Sequence, residues 1–256
     1  SKTALLLPNR FEKGSARLRL DFFTPYLGHS NRLLADSSCA EFSSVSFKLL
    51  LEYSQKLGRE KLLAHWQKAS SDEQRALYLV MLGAFADSKE LTITKPMLEA
   101  AQKGPDKPYL SALLFCHLQS QGNAALAKIE SSFLKGAKPE RKFASLEALR
   151  LIVNEKGRIA KSDILPIFRR LLVDKDVAGP VIQDLALWGD WDSLTAVSQL
   201  LSLPKDQRWI RISAVRYLRT CPKPAAKEIL NRLKTSEPEL LKFATTPYSP
   251  PPPPVE

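Results

Sequence analysis

Cysteine and glycine are both scarce in this sequence. The three cysteines are odd in number and far apart, at Cys39, Cys116 and Cys221. This spacing excludes a disulfide-stapled mini-protein and a four-cysteine zinc ribbon. Only 10 of the 256 residues are glycine, which disfavours β folds rich in tight turns. The sequence therefore predicts a globular core that disulfides do not hold together.

Long hydrophobic runs are also missing. No apolar run approaches the roughly 18 to 20 residues that cross a bilayer, so we predict no membrane span within the chain as printed. The chain begins with Ser1 rather than methionine, and no charged-then-apolar leader follows. We expect either that a targeting segment has been removed or that the chain is part of a longer protein.

Catalytic motifs are missing too. The sequence has no glycine-rich phosphate loop, no serine elbow, no pair of histidines one helical turn apart and no Cys-x-x-Cys. Its histidines, His29, His65 and His117, are far apart. Cys116 and His117 are adjacent, but neighbours on a helix point to different sides, which disfavours a shared metal. The sequence predicts no enzyme, no metal site and no cofactor.

Apolar residues at helical spacing dominate the rest of the chain. In residues 72–86, Leu77, Val80 and Ala84 form one stripe behind Asp72, a candidate N-cap. The helices predicted by this spacing are 31–45, 46–57, 59–68, 72–86, 107–121, 123–134, 139–155, 162–173, 177–188, 191–202, 206–220 and 223–234.

Strand signals are few. Residues 3–7 predict a short β segment. Leu18, Leu20 and Phe22 alternate as in a strand. Leu18, Phe22 and Tyr26 also lie four residues apart, as on a helix, which we favour.

Helix starts recur at a regular distance along the chain. Short links with proline, such as Gly179-Pro180 and Cys221-Pro222, separate predicted helices and make neighbours antiparallel. The residues that open one helix of each pair are Asn31, Asp72, Asp106, Pro139, Asp176 and Asp206. A separation of about 35 residues with two helices in each interval is typical of a helical-hairpin repeat. Because one hairpin cannot bury its apolar faces alone, we expect the hairpins to stack. An irregular α bundle is the alternative.

The segment WIRISAVRYL (209–218) resembles the second-helix signature of HEAT repeats, in which an aliphatic residue and an arginine precede a small residue and further aliphatics. The matching positions are Ile210, Arg211, Ala214, Val215 and Leu218. Residues 29–42 carry a related pattern without the arginine. The resemblance implies an all-α fold, a right-handed α-α superhelix that is a HEAT- or armadillo-like solenoid of antiparallel helical hairpins.

We divide the chain into three parts. Residues 1–14 are predicted to be an irregular or short β segment, and residues 15–243 one HEAT-like helical-repeat domain. Residues 244–256 are predicted to be a proline-rich disordered tail or linker, because the five prolines at 250–254 cannot form a core and favour polyproline II. The alternative for this tail is a ligand for a proline-recognition groove.

Most of the chain is also similar to a group of uncharacterised bacterial HEAT-like repeat proteins, mainly through residues 143–152 and 171–194. In that group the helical array often lies outside the cytoplasmic membrane, joined by a proline-rich linker to a membrane anchor. The resemblance implies an extracytoplasmic, periplasmic location and an anchor beyond the tail, with a cytoplasmic location as the alternative. It implies no catalytic residues.

Tryptophans and acids cluster after residue 183. The clustered side chains are Asp184, Trp188, Asp190, Trp191 and Asp192. Aromatic faces stack planar or cationic groups and a carboxylate orients positive charge, so the cluster predicts a recognition cleft. It resembles the aromatic-plus-Asp cleft of HEAT-like DNA alkylation-repair glycosylases, with Trp209 and Arg211 one hairpin later. In the structural alternative, Gly189 ends one helix, Asp190 caps the next and a tryptophan fills the joint between hairpins.

The formal net charge is +11. Residues 173–204 are acidic, with one Lys or Arg against five Asp or Glu, whereas residues 205–256 are basic, with ten against five. The basic side chains of the latter part include Arg208, Arg211, Arg216, Arg219, Lys223 and Lys227. They predict a patch for an acidic partner. In the alternative, Arg211 forms the ion pair usual in HEAT arrays, while Arg216 and Arg219 keep one face of the helix exposed to solvent.

The sequence therefore predicts a non-enzymatic protein-binding or scaffolding module, a subunit of a cell-envelope complex, whose protein partner has an acidic surface. The predicted contact residues, aromatic or arginine as in interface hot spots, are Trp188, Trp191, Arg208, Arg211, Arg216 and Arg219. The first alternative is a DNA-binding protein related to alkylation-repair glycosylases, which would use Asp190 or Asp192. The second alternative is a purely structural spacer.

Overall fold

The computed structural model describes residues 15–85 and 88–245. All regular elements among these residues are helical, and no strand occurs in them. The all-α part of the prediction is therefore confirmed. The β segment predicted at 3–7 and the proline-rich residues after 245 lie outside the described residues.

The chain divides between Ala160 and Lys161 into two compact units, which we call unit 1 and unit 2. The helices of unit 1 are α1 (Ser15–Phe23), α2 (Arg32–Ser43), α3 (Phe47–Leu57), α4 (Arg59–Lys68), α5 (Asp72–Leu82), α6 (Leu91–Lys103), α7 (Leu110–Gln121), α8 (Leu126–Ile129) and α9 (Pro139–Asn154). A π-helical turn, Glu130–Leu134, continues α8.

Unit 2 is also built from helices. Its helices are α10 (Lys161–Arg170), α11 (Ala178–Leu187), α12 (Leu194–Gln199), α13 (Arg208–Thr220), α14 (Pro224–Ser236) and α15 (Pro238–Thr245). Short 3-10 turns connect several of them, among them Trp191–Ser193 before α12.

Helices of unit 1 that are not consecutive in the chain pack side by side. Helix α5 contacts α2 and α7, and α7 contacts α9. All residues of α7 from Ala112 to Ser120 are buried, because its sequence is apolar on every side rather than along one stripe. Burial lowers the pKa of His117 in this helix to about 4, and its Nδ1 lies 3.1 Å from Oγ1 of Thr94 on α6. Helix α7 is thus the central element of unit 1.

Unit 2 repeats this arrangement with α11, α13 and α15. Helix α13 contacts both α11 and α15, and its residues from Ile210 to Leu218 are buried except Arg216. Ile212 and Val215 of α13 share one apolar cluster with Leu240 of α15 and Leu233 of α14. We call α2, α5, α7 and α9 the row helices of unit 1, and α11, α13 and α15 the row helices of unit 2.

The residues used to measure the repeat lie at or near the starts of these row helices. Asn31 caps α2, since its side chain accepts a hydrogen bond from the Leu33 amide, and Pro139 is the first residue of α9. One detail differs from the prediction: Ser71 rather than Asp72 is the N-cap of α5. The spacing seen in the sequence therefore marks one row helix per hairpin.

Two helices were not predicted, and one was predicted with the wrong buried face. In α6, Thr92 and Ile93 lower the helix propensity and Pro96 removes a backbone donor; α15, which begins at Pro238, was missed as well. Helix α1 is present, but the predicted stripe through Leu18 and Phe22 is exposed. Its buried residues are instead Leu20 and Phe23.

Replacing Gly28 by alanine is expected to destabilise unit 1. Gly28 has φ +68°, and a methyl group on it would lie 2.0 Å from Nδ1 of His65, whose ring stacks on Tyr78. Gly136 has φ +67° with open space around it. Gly136→Ala should cost about 1 kcal/mol from backbone strain alone, and Gly28→Ala at least twice as much. Urea unfolding of both variants measures the difference. Equal losses in the free energy of unfolding would contradict the proposed clash with His65.

Candidate functional site

The two predicted tryptophans of unit 2 are half-buried within it. Gly189, with φ +70°, ends the turn after α11 and separates them. The Trp188 ring lies 4.7 Å from the ring of Phe168 on α10. The Trp191 ring packs edge-on against Tyr217 on α13, at 5.3 Å. Both rings therefore join helices, as in the structural alternative of the sequence analysis.

Asp190, between these tryptophans, has a buried side chain that is fully engaged. Its Oδ2 accepts hydrogen bonds from Arg169 Nε at 3.0 Å and from Ser193 Oγ at 2.5 Å, and its Oδ1 pairs with Arg169 Nη2. Its backbone carbonyl accepts a hydrogen bond from the Tyr217 hydroxyl at 2.6 Å. This carboxylate connects the α11–α12 turn to α10 and α13.

The pKa of the Asp190 carboxyl reflects these contacts. Burial acts to raise it, but the hydrogen bonds from Arg169 and Ser193 outweigh burial and hold the pKa below its ordinary value. Asp192 is exposed and pairs with Arg169 at 3.6 Å and Lys223 at 3.4 Å. Neither oxygen of Asp190 is directed at an open cleft, so the predicted recognition cleft around Asp190 gains no support from this geometry.

Arg211 is buried near the start of α13. Its Nη2 pairs with Glu237, the residue before α15, and its Nε donates to the Leu201 carbonyl at 2.9 Å. Arg211 thereby connects the segment before α13 to the segment before α15. The structure places this predicted contact residue inside unit 2, in the ion-pair role that the alternative interpretation gave it.

The other predicted arginines lie nearer to solvent. The guanidinium carbon of Arg208 lies 3.4 Å from the ring centroid of Phe243 on α15, where cation and ring attract each other. Arg216 is half-buried, and its Nε donates to the Ala244 carbonyl at 3.4 Å. Arg219 is exposed. Only these three of the six predicted residues present their charge at the surface of unit 2.

A cleft of about 560 Å³ lies between α11 and α13. We call it the Trp209 cleft; its lining residues are Gly179, Pro180, Gln183, Trp209, Ile212, Ser213 and Arg216. Trp209 is 67% exposed although it is the largest apolar side chain at this surface. Leu187, one helical turn after Gln183 on α11, is 76% exposed. An apolar cleft with a few polar groups and an exposed tryptophan is typical of a binding site.

Unit 1 carries a contrasting cleft on its own row helices. It has a volume of about 510 Å³ and is lined mainly by small and aliphatic residues of α5, α7 and α9, with Glu73 and Glu147 among them. No aromatic side chain lines it. A further cleft of about 800 Å³ between α4 and α6 is lined by charged residues of both signs, including Glu60 and Lys89. The Trp209 cleft is therefore distinguished by chemistry rather than by size.

Sequence reasoning associated Trp209 with the Asp190 cluster, and the structure instead joins it to α11. Trp209, Ser213 and Arg216 recur three or four residues apart, so they share one face of α13. That spacing was visible in the sequence. Pro180 and Gln183 were missed because their place opposite this face depends on how α11 packs against α13.

Within 15–85 and 88–245, no group of three or more His, Cys, Asp or Glu side chains is placed to hold a metal ion. In the same residues no helix is both long and apolar enough to cross a membrane.

Comparison with known proteins gave no match to a protein-family model, a curated protein or a solved structure. The packing of the helices is compatible with a helical-repeat protein.

Replacing Asp190 by asparagine is expected to lower the free energy of unfolding at pH 7 by about 2 kcal/mol, because charge-assisted hydrogen bonds to Arg169 and Ser193 are weakened. Since the folded pKa lies below the unfolded value of about 3.9, the wild-type advantage is present above that value. It is lost as the pH falls through the folded pKa. Chemical unfolding of wild type and Asp190→Asn at pH 7 and pH 3 measures this advantage. A stability difference between the two proteins that is not smaller at pH 3 would contradict the prediction.

Replacing Arg211 by methionine is expected to cost about 2 kcal/mol, since it removes a charged hydrogen-bond donor and leaves Glu237 without this partner. Arg219→Met, on the exposed face of the same helix, is the matched control and should change stability by less than about 0.5 kcal/mol. Equal urea midpoints for the two variants would show that Arg211 does not connect the segments.

Proposed function

We propose that the protein is a non-enzymatic protein-binding or scaffolding module, and that its partner contacts the Trp209 cleft. The observation that carries this proposal is the exposed Trp209 ring beside Arg216, above an apolar floor on two row helices. Tryptophan and arginine are the residues most enriched in interface hot spots. No described ion pair and no packing contact within unit 2 explains why Trp209 faces solvent.

We further propose that the hairpins of each unit are HEAT-like and turn with the right hand of HEAT and armadillo arrays. Row helices that pack side by side support the stacking of hairpins, as expected of a repeated unit.

An acidic surface on the partner fits the charge of the cleft. Arg216 lines it, and Arg208 and Arg219 lie on the same helix. The basic surplus of residues 205–256 extends this positive field beyond the cleft. The resemblance to bacterial envelope-associated arrays makes a cell-envelope complex the setting that we propose for this partner.

The Trp209→Ala variant tests the proposal. Proteins captured by the wild-type chain are identified, and the purified partner is titrated calorimetrically with wild type, Trp209→Ala, Arg216→Ala and Leu33→Ala. Leu33 is 77% exposed on α2 in unit 1 and serves as the control. Loss of a hot-spot tryptophan costs about 2 kcal/mol or more of binding free energy, so Trp209→Ala should raise the dissociation constant about 30-fold.

The remaining outcomes separate the alternatives. Arg216→Ala should weaken binding less than Trp209→Ala and reduce its dependence on salt. Unchanged affinity in both variants excludes the cleft as the contact site. Salt-sensitive binding of duplex DNA in place of a protein favours the DNA-binding alternative, and no bound partner at low salt favours the spacer.

A further inference from the structure

The described chain ends beside the Trp209 cleft. Helix α15 stops at Thr245, and the carbonyl of Ala244, one residue earlier, accepts a hydrogen bond from Arg216, which lines the cleft. The ring of Phe243 lies against Arg208 on the same helix as Trp209. Whatever follows Thr245 in the chain therefore starts at the edge of this cleft.

The residues that follow have a composition suited to an aromatic groove. Pro247 and the prolines at 250–254 stand among residues 246–256, which lie outside the described residues. Consecutive prolines favour polyproline II, an extended helix without internal hydrogen bonds. Proline has no amide donor, so such a segment offers its binding site only carbonyl acceptors and flat apolar rings.

The Trp209 cleft offers the complementary groups. The exposed indole of Trp209 is a flat platform with an N–H donor, while Pro180 and Ile212 form an apolar floor. Gln183 and Ser213 carry further donors along the cleft. Aromatic surfaces combined with donors to carbonyls are how known grooves recognise polyproline II. The cleft of unit 1 lacks an aromatic lining residue and presents two carboxylates instead, so it does not suit such a ligand.

The distances along the chain also agree. Seven residues of α helix separate Trp209 from Arg216, which is about 10 Å along the axis. The four residues at 246–249 span about 12 Å in polyproline II at about 3.1 Å per residue. A segment that leaves Thr245 next to Arg216 and turns back along α13 is therefore long enough for the prolines at 250–254 to reach Trp209.

We propose that the proline-rich segment of this chain, residues 246–254, docks into its own Trp209 cleft and competes there with the partner. The proposal rests on the proposed function, because it assigns an internal ligand to the same cleft. A short tether gives an effective concentration on the order of 1 mM. An intrinsic dissociation constant of about 0.1 mM then leaves about one cleft in ten open, which weakens partner binding about tenfold.

The test compares the full wild-type chain with a full chain carrying Pro250→Ser to Pro254→Ser. The indole N–H resonance of Trp209, assigned with Trp209→Phe, reports on the cleft. We expect the position of this resonance to differ between the two chains. We also expect that the peptide TPYSPPPPPVE, added at millimolar concentration to the serine variant, moves the Trp209 resonance toward its wild-type position. The resonances of Trp188 and Trp191 are the internal controls and should stay unchanged.

Two results would overturn the proposal. One is a Trp209 resonance that is identical in both chains and unaffected by the peptide. The other is a wild-type shift that disappears on dilution, because the occupant would then be the tail of a second copy. A shift that is independent of protein concentration supports docking within one chain.

Titration of the identified partner separates this proposal from the proposed function. We expect the serine variant to bind the partner about tenfold more tightly than wild type. Equal partner affinity with an unchanged Trp209 resonance overturns tail docking and leaves the proposed function standing. If the Trp209 resonance depends on the tail but Trp209→Ala leaves the partner affinity unchanged, tail docking is supported and the proposed function is overturned.

Discussion

Side-by-side packing of alternate helices is the contact on which both units depend. A single amphipathic hairpin has apolar surface left over, and it is stable only when a neighbouring hairpin covers that surface. Helices α7 and α13 show the result, because each packs between two row helices. Helix α7 is apolar on nearly every side and is almost completely buried, whereas α13 buries one broad face and keeps Arg208, Trp209 and Arg219 exposed.

Buried polar side chains connect neighbouring segments of unit 2. Asp190 binds Arg169 and Ser193, and Arg211 binds Glu237 and the carbonyl of Leu201. Each is expensive to bury unless its partners are present, so each specifies how the neighbouring segments meet. Asp190 and Arg211, which the sequence suggested as functional side chains, thus contact other residues of unit 2. The proposed partner site is the Trp209 cleft, where the Trp209 ring is exposed.

The position of that cleft links binding to the proline-rich segment. Arg216 contacts both the cleft and the carbonyl of Ala244 at the end of α15. A partner with an acidic surface and the chain's own prolines would meet the same indole ring. Under the proposed function, competition between them would control when the cleft is open to a partner.

Periodicity in the sequence determined that the protein is helical, where most helices lie and approximately where most row helices begin. These properties are local, since they depend on residues three, four or about 35 positions apart. Helix α6 escaped prediction because Thr92, Ile93 and Pro96 lower its helix propensity, whereas its packing against α7 is a tertiary effect. The tertiary structure alone decided that Trp188, Trp191 and Arg211 face inward while Trp209 faces out, opposite Pro180 and Gln183. Residue types show which side chains are suited to binding, but only the packing of α11 against α13 decides which of them solvent reaches.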